Sequence, residues 1–234
     1  MVFQGTVIYI YYVKEIKNII FDLGGVLLPV DYQAVILAFT QLGVNDAAHF
    51  YSQKEQQPLF DRIERGEISG GEFIFELKKI IPSAQEEELI FAWNAILGLF
   101  PPSRLQMLEK IRKHYRIFLL SNTNEIHIKK VTEDLKDYNS VEDFISYFDE
   151  VYYSYETGFR KPEKEIYDLV LLDNNLSASE TIFIEDTEAN VLGAVASGIP
   201  TVWLKVNQGE MLESIFTNDG KLKDTIDIIY PGEQ

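Results

Sequence analysis

One aspartate stands where an apolar strand is predicted to end and a glycine turn to begin. Residues 19–28 read Ile-Ile-Phe-Asp-Leu-Gly-Gly-Val-Leu-Leu, so that Asp22 follows the apolar run and Gly24 and Gly25 come shortly after it. A short apolar run of this kind is typical of a strand buried on both faces. An ionised carboxylate at its end is costly unless a metal, a partner or a reaction offsets that cost. Asp22 is therefore a candidate nucleophile or metal ligand, although a turn or helix-cap role explains this segment alone equally well.

Three further segments put chemistry-bearing residues behind predicted strands. They are Ser121-Asn122-Thr123-Asn124, Gly158-Phe159-Arg160-Lys161-Pro162, and Glu185-Asp186-Thr187 with Asn190 one turn later. Each has a purely structural explanation, because Ser121 suits a helix N-cap, Lys161 a solvated position before a proline that starts a helix, and Glu185-Asp186 the cap of the next helix. All four segments in this order at strand ends are hard to explain in that way.

The chemistry of these groups is complementary. A hydroxyl and backbone N–H groups at a helix start suit a phosphate, and a lysine neutralises phosphate charge. An acidic pair beside another carboxylate suits Mg²⁺, which prefers oxygen ligands and usually keeps waters and a substrate phosphate in its shell. In open α/β sheets, ligands bind outside the carboxyl ends of the strands, so these groups are expected to converge there.

The elements that must position them alternate along the second half of the chain. Strands are predicted at 115–120, 150–153, 181–185 and 201–204, with helices at 103–113, 124–136, 163–172 and 187–197. This alternation predicts an α/β fold with a Rossmann-like, mostly parallel sheet and helices on both faces. Residues 17–30 and 101–234 are expected to form this catalytic core.

Residues 31–100 read as a helical insertion between two strands of the sheet. Asp31 is the predicted N-cap of a helix over 32–42, and Ser69 with Glu72 has the spacing of a capping box. A further helix is predicted over 86–97. Residues 1–16 form an N-terminal extension whose apolar run over 7–13 reads either as an edge strand or as a leader outside the core.

Composition excludes several classes of function. The 234 residues carry a net charge of −16, with 46% hydrophobic and 25% charged residues and no cysteine. Disulfide scaffolds, zinc–thiolate sites and thiol nucleophiles are excluded, and no basic patch for nucleic acid stands out. No apolar run approaches the roughly 20 residues of a membrane span. We expect a cytoplasmic monomer without nucleic-acid or membrane partners.

The order Asp22-Leu23-Gly24-Gly25-Val26, Ser121-Asn122-Thr123, Lys161-Pro162 and Glu185-Asp186 resembles the haloacid dehalogenase-like (HAD) hydrolase superfamily. The resemblance spans about residues 17–205. Within the superfamily the chain looks most like the branch that includes bacterial α-D-glucose-1-phosphate phosphatase. The segments that carry this closer match are residues 60–69, 121–124 and 158–163.

The resemblance implies a Mg²⁺-dependent phosphatase that acts on a small phosphorylated metabolite, of the sugar phosphate class, through an aspartyl-phosphate. Asp22 is then the nucleophile, and Mg²⁺ is held by Asp22, the Gly24 carbonyl and Asp186. The phosphoryl group is bound by Ser121, the Asn122 backbone and the catalytic Lys161. Glu185 and Asn190 are implied to support the metal site from behind its ligands, and residues 31–100 correspond to the helical cap that closes over the site.

One position departs from the superfamily pattern. Most of its phosphatases carry a second aspartate two residues after the nucleophile, which acts as general acid and base, and here that residue is Gly24. General acid–base help is typically worth about 10² to 10⁴ in rate. Another group or a water must then act as general acid and base. His127, one helical turn past the Ser121 loop, is a candidate for this role, although the same position also suits an ordinary packing histidine.

Other functions remain open at this point. The 2-haloacid dehalogenase branch also lacks the second aspartate, but it has neutral residues where this chain has Glu185-Asp186. A phosphosugar mutase needs an acid/base to return the phosphoryl group, which Gly24 does not supply. A non-catalytic member that binds a phosphometabolite or a partner protein is compatible with the same fold. Glu64, Arg65 and Trp93 are candidates to face the substrate, or else a solvated pair and a core residue.

Overall fold

The computed structural model describes residues 15–51, 58–139, 141 and 143–232 of the chain. The predicted apolar run over 7–13 lies outside these residues. Within the described part, none of the helices has both the length and the apolar character that a bilayer crossing requires.

A single five-stranded parallel sheet forms the centre of the molecule. Its strands are β1 (Asn18–Phe21), β2 (Arg116–Ser121), β3 (Glu150–Tyr153), β4 (Thr181–Glu185) and β5 (Thr201–Trp203). Their spatial order is β3-β2-β1-β4-β5, so β1 is central and pairs with β2 on one side and β4 on the other. The predicted α/β fold with a parallel sheet is confirmed.

Both faces of the sheet are buried, as the apolar runs of its strands predict. Alternate residues of β1 point to opposite sides, so Ile19 and Phe21 join one apolar cluster while Ile20 joins another. The first cluster is covered by α6 (Pro102–Ile111) and α7 (Glu125–Asn139), and the second by α9 (Lys164–Asp173) and α10 (Glu188–Ala196). A short helix, α8 (Ser154–Thr157), follows β3 directly.

Besides α6, five helices lie between β1 and β2 in the part of the chain that the structure describes. They are α1 (Tyr32–Gln41), α2 (Ala47–Phe50), α3 (Pro58–Glu64), α4 (Gly70–Ile80) and α5 (Glu86–Asn94). Asp31 accepts the N–H groups of Gln33 and Ala34, and Ser69 with Glu72 forms a reciprocal capping box. Both predicted helix starts are therefore confirmed, and residues 31–100 are called the helical segment below.

The helical segment has an apolar centre of its own around Trp93. The Trp93 ring lies 4.7 Å from that of Phe73 and 5.0 Å from that of Phe60, centroid to centroid, and the residue is 1% exposed. Short backbone contacts tie the two ends of the segment to each other, since Asp31 donates its N–H to Ile96 and Gly98 donates to Pro29. Trp93 is thus a core residue rather than one that faces a substrate.

Replacing Trp93 by alanine should test this centre. Loss of a fully buried tryptophan removes apolar burial and leaves a cavity, so the free energy of unfolding should fall by about 3–5 kcal/mol. Phe91→Ala in the same helix is the control, because that ring is 73% exposed and its removal should change the free energy by under about 0.5 kcal/mol. Urea denaturation measures both, and equal losses in the two variants would contradict the assignment.

Candidate active site

The predicted site residues meet at the carboxyl edge of the sheet. Asp22 follows the last residue of β1, Ser121 is the last residue of β2, and Glu185 is the last residue of β4. Because β1 lies between β2 and β4, these three side chains belong to neighbouring strands. Lys161 reaches the same place from the loop between α8 and α9.

Lys161 is buried between two carboxylates. Its ammonium nitrogen lies 2.6 Å from Oδ1 of Asp22 and 2.7 Å from Oε2 of Glu185, and its side chain is 1% exposed. Burial alone lowers the pKa of a lysine, but the charges of Asp22 and Glu185 outweigh this effect and raise the pKa of Lys161. Lys161 is thus held as a cation next to Asp22.

Glu185 has both carboxylate oxygens occupied by protein groups. Oε2 accepts from Lys161, and Oε1 accepts the backbone N–H groups of Asp186 at 3.2 Å and Thr187 at 3.0 Å. The side chain is fully buried. Glu185 therefore holds Lys161 and the start of the following loop, which leaves Asp22 and Asp186 as the carboxylates with oxygen atoms available to a ligand.

The donor set fits a hard divalent cation. Asp22, Glu185 and Asp186 bring carboxylate oxygens within 4.8 Å of one another, the one such group among the described residues. Burial and the charge of Glu185 raise the pKa of Asp22 well above its usual range, and the same two causes raise that of Asp186 to about 7. Three acids against one ammonium leave an excess of negative charge that a divalent cation with oxygen ligands would balance.

The turn after Asp22 is shaped by the two glycines. Gly25 has φ +81°, and a Cβ at this residue would overlap the carboxylate of Asp186. A Cβ at Gly24 would lie 3.3 Å from Cγ1 of Val30, so that even the first carbon of a side chain there is in close contact. The glycine at 25 is required by both backbone conformation and space.

Gly25→Ala should therefore disturb both the local turn and the carboxylate of Asp186. The added methyl group displaces the Asp186 carboxylate, and we expect the affinity for Mg²⁺ to fall by about tenfold or more. Isothermal titration calorimetry with MgCl₂ measures this affinity.

Gly209→Ala provides the control, because Gly209 also has a positive φ of +85° but nothing lies within 4 Å of the Cβ it would add. Unchanged Mg²⁺ affinity in Gly25→Ala would contradict the assignment of Asp186 in its present position as a ligand.

Asn122 binds the backbone of Lys161 with its side chain. Its Nδ2 donates to the Lys161 carbonyl at 2.8 Å, and its Oδ1 accepts the Lys161 N–H at 2.9 Å. The sequence pointed only to the Asn122 backbone as a phosphate contact, so this second role was missed. Ser121 is buried, and no described residue is hydrogen-bonded to its hydroxyl, which leaves that hydroxyl available to a ligand.

Asn190 lies in the first turn of α10. Its backbone N–H donates to Thr187, and its carbonyl accepts the hydroxyl of Tyr167 at 2.8 Å. No hydrogen bond joins its side chain to Asp22, Glu185 or Asp186 in the part of the chain described. Its support of the metal site stays a prediction.

His127 packs against the helical segment instead of facing the carboxylates. Its ring stacks on that of Trp93 at 4.9 Å, its Nε2 lies 3.2 Å from the Trp93 carbonyl, and its Nδ1 lies 3.1 Å from Nδ2 of Asn124. Asn124 also accepts the indole N–H of Trp93 at 3.3 Å. The structure therefore favours the packing interpretation of His127 over the proton-donor one.

Burial lowers the pKa of His127 to about 4 from an ordinary 6.5. A neutral His127 thus stabilises the fold above about pH 6.5, and this contribution is lost as the pH falls towards 4 because only the unfolded chain takes up the proton. Between about pH 7.5 and about pH 5 the loss should be about 2 kcal/mol. His127→Gln should flatten this part of the stability profile, measured by urea denaturation across the pH range. An unchanged slope would show that His127 does not titrate as described.

A charged cluster at the edge of the site was not expected from the sequence. Asp61, Glu64 and Arg65 of the helical segment contact Arg160 and Glu163, which flank Lys161. The only signal was that these residues fall within the segments 60–69 and 158–163, which carry the closer resemblance. Spacing within one segment does not show which distant segment it meets.

Tyr32 was also missed as a neighbour of the acidic group. Burial raises the pKa of its phenol, and the negative charges of Asp186 and Asp22 raise it further. The phenol is therefore protonated throughout the working pH range and belongs to the surroundings of the carboxylates. From the sequence, Tyr32 was predicted only as the first residue of a helix.

The chain matches the family model described as haloacid dehalogenase-like hydrolase over residues 16–198. It belongs to the haloacid dehalogenase-like hydrolases. The family predicted from the four segments is confirmed, and so is the prediction that the protein is a hydrolase of this family.

Three similar proteins show how far the likeness extends. The D-ribitol-5-phosphate phosphatase of Bacteroides thetaiotaomicron is 34% identical over 185 residues, which are 75% of this chain and 85% of that protein. A HAD family enzyme of B. thetaiotaomicron, solved with magnesium and inorganic phosphate, is 33% identical, has a TM-score of 0.77, and is matched over 86% of this chain and 100% of its own. A predicted HAD-like hydrolase of Porphyromonas gingivalis is 32% identical, with a TM-score of 0.72 over 80% of this chain and 90% of its own.

Proposed function

We propose that this hydrolase is a Mg²⁺-dependent phosphatase that acts on a small sugar phosphate through an aspartyl-phosphate on Asp22. The observation that carries the proposal is the contact between Asp22 and the buried ammonium of Lys161, beside Asp186 and the available hydroxyl of Ser121. The relative that hydrolyses D-ribitol 5-phosphate and the related enzyme solved with magnesium and phosphate support the substrate class and the metal.

Asp22 is the nucleophile in this proposal. One carboxylate oxygen attacks the phosphorus atom, the new O–P bond forms, and the P–O bond to the sugar oxygen breaks. The position of Asp22 directly behind β1 fixes its backbone, since its N–H donates to Ile184 at 3.0 Å. A nucleophile held on a rigid strand end loses little freedom when the substrate arrives.

The phosphoryl group is bound by Ser121, the backbone of Asn122 and Lys161. The buried ammonium of Lys161 offsets charge on the transferring oxygens in surroundings with little water, where such an interaction is strong. Asn122 holds the backbone of Lys161. Glu185 holds its ammonium group.

Asp22, Asp186 and the carbonyl of Gly24 would hold the Mg²⁺, with Glu185 and Asn190 behind them. When bound, the cation neutralises the acidic group and stabilises negative charge on the phosphoryl oxygens. Asp22 and Asp186 offer the free carboxylate oxygens, while those of Glu185 are already engaged. This difference supports the roles that the sequence suggested for the three acids.

Because residue 24 is glycine, no side chain two residues after Asp22 can donate a proton to the leaving group. We assign the proton for the departing sugar oxygen to water, which is left as hydroxide. A second water then attacks the phosphorus of the aspartyl-phosphate and gives its proton to that hydroxide, and the bond between phosphorus and the Asp22 oxygen breaks, which returns Asp22 to its carboxylate form. His127 does not supply this proton, because it is buried against Trp93.

The helical segment 31–100 acts as the cap and residues 17–30 and 101–234 as the catalytic core. The cap has its own apolar centre, and its contacts with the core lie around the carboxyl edge of the sheet. Asp22 is only 7% exposed with the cap in this position. Closure of the cap would exclude water from the site and select the substrate by its non-phosphate part.

The dehalogenase alternative is disfavoured by the acidic pair. A carbon-centred displacement without a metal has no use for Asp186 next to Asp22 and Glu185, whereas a metal-assisted phosphoryl transfer does. Release of phosphate rather than halide separates these two activities. A non-catalytic binding protein would release neither.

The test is a panel of phosphoesters assayed for phosphate release with and without Mg²⁺. It should include D-ribitol 5-phosphate, α-D-glucose 1-phosphate and p-nitrophenyl phosphate. We expect turnover that a chelator abolishes and Mg²⁺ restores, and Asp22→Asn should lower it by at least about a thousandfold.

Asp137→Asn on the exposed side of α7 is the control for loss of a carboxylate. Thermal melting of both variants shows whether they are folded. Full activity in Asp22→Asn, or no phosphate release from any ester, would refute the proposal.

A further inference from the structure

Five charged side chains join the cap to the loop that carries Lys161. We call them the cap–loop network, and its members are Asp61, Glu64 and Arg65 of the cap with Arg160 and Glu163 of the core. Three of its pairs link cap residues to core residues about a hundred positions away in the chain, while Asp61 and Arg65 pair within the cap. The network is therefore a tertiary contact between the two parts of the molecule, and it lies beside the proposed active site.

Arg160 is the member that reaches furthest into the cap. Its Nη1 donates to Oδ1 of Asp61 at 2.7 Å, and its Nη2 lies 2.7 Å from Oε2 of Glu64. The Arg160 side chain is 18% exposed, and those of Asp61 and Glu64 are 35% and 19% exposed. One guanidinium thus spans two acids that lie one turn apart on α3, a geometry that a lysine does not match.

Arg65 completes the network from the cap side. It binds Oδ2 of Asp61 at 2.8 Å and both carboxylate oxygens of Glu163. Glu163 also accepts the backbone N–H of Arg160 at 3.2 Å. Asp61 is therefore shared by the two arginines, and Glu163 connects Arg65 to the backbone of Arg160.

Arg160 and Lys161 are adjacent in the chain, but their side chains contact different parts of the molecule. The side chain of Arg160 binds the cap, while that of Lys161 binds Asp22 and Glu185 in the core. Between them, the backbone of Lys161 is held by Asn122. A movement of α3 away from the core would break the contacts of Arg160 with the cap. The loop would then lose its cap-side contacts at the residue directly before Lys161.

The partial exposure of these pairs makes them suitable for repeated opening. Ion pairs that water reaches contribute little individually and are weakened by salt, so breaking them costs less than breaking a buried pair. The buried pairs of Lys161, by contrast, do not include a cap residue. Opening of the cap would thus break the network and leave the core contacts of Lys161 in place.

We propose that Arg160 is a positioning residue that couples the seating of the cap on the core to the order of the Lys161 loop. With the cap seated, Asp61 and Glu64 hold Arg160, and the loop keeps Lys161 against Asp22. With the cap lifted, the loop loses this support. The catalytic consequence rests on the proposed phosphatase function, whereas the coupling itself does not.

Hydrogen exchange measured by mass spectrometry tests the coupling without any substrate. Asp61→Asn and Glu64→Gln change only cap residues, yet amides of the loop over 158–163 should exchange about fivefold to tenfold faster in both variants. Arg160→Met should in turn raise exchange in the cap around residues 61–66. Wild-type exchange of the loop in both cap variants would overturn the proposal.

Lys164→Met is the matched control. Lys164 lies three residues past Lys161 and, among the described residues, pairs only with Asp168 on its own helix, at an exposed position. Its removal takes away one cation near the loop without touching the cap, so exchange in the cap should stay at the wild-type level. Faster cap exchange in Lys164→Met to the same extent as in Arg160→Met would show a general charge effect and count against the network.

Steady-state kinetics with the best substrate of the panel tests the consequence. Arg160→Met should lose about tenfold in kcat with a smaller change in KM, and Arg160→Lys should recover only part of this loss. The wild-type kcat should fall as ionic strength rises from about 0.1 M to about 0.5 M, and Arg160→Met should lose this dependence.

The two proposals fail in distinguishable ways. Absence of turnover in the wild-type protein refutes the phosphatase, while the exchange experiment still decides the coupling. Normal kcat in Arg160→Met together with normal loop exchange in the cap variants refutes the coupling and leaves the phosphatase standing.

Discussion

The ammonium of Lys161, held between Asp22 and Glu185 with almost no access to water, is the interaction on which the rest of the site depends. A charge buried in this way is tolerated only when its partners are fixed, and removal of one partner of such a pair typically costs about 3–5 kcal/mol. Here the partners are fixed by the sheet, because Asp22 follows the central strand and Glu185 ends the strand beside it. Strand order therefore sets the positions of the two acids, and Lys161 reaches them from the loop between α8 and α9.

The groups around Lys161 and its loop come from two parts of the molecule, the sheet with its adjoining loops and the helical segment. Asn122 holds its backbone, and Glu185 and the face of the Phe183 ring, 5.3 Å away, surround its charged end. These groups all belong to the sheet and its adjoining segments. The charged groups that reach the same loop from the helical segment are partly exposed, and ion pairs of this kind contribute less to stability than buried ones.

The sequence was sufficient to predict the sheet, its parallel direction and the residues at its carboxyl edge, because apolar runs and strand-end chemistry are local signals. It predicted β2 over 115–120, whereas the strand includes Ser121, since hydrogen bonding to β3 continues through that residue. It did not reveal that Asn122 binds Lys161, that Glu185 has no free oxygen, or that His127 stacks on Trp93. Each of these depends on the distance between segments far apart in the chain, which no spacing along the sequence encodes.

The close approach of Val30 to Gly24 limits which side chains position 24 can hold. The first carbon of any side chain there would lie 3.3 Å from Cγ1 of Val30, so Val30 would have to shift by a few tenths of an ångström to admit it. An aspartate at 24 is therefore expected to fit more easily together with a smaller residue at 30 than alone.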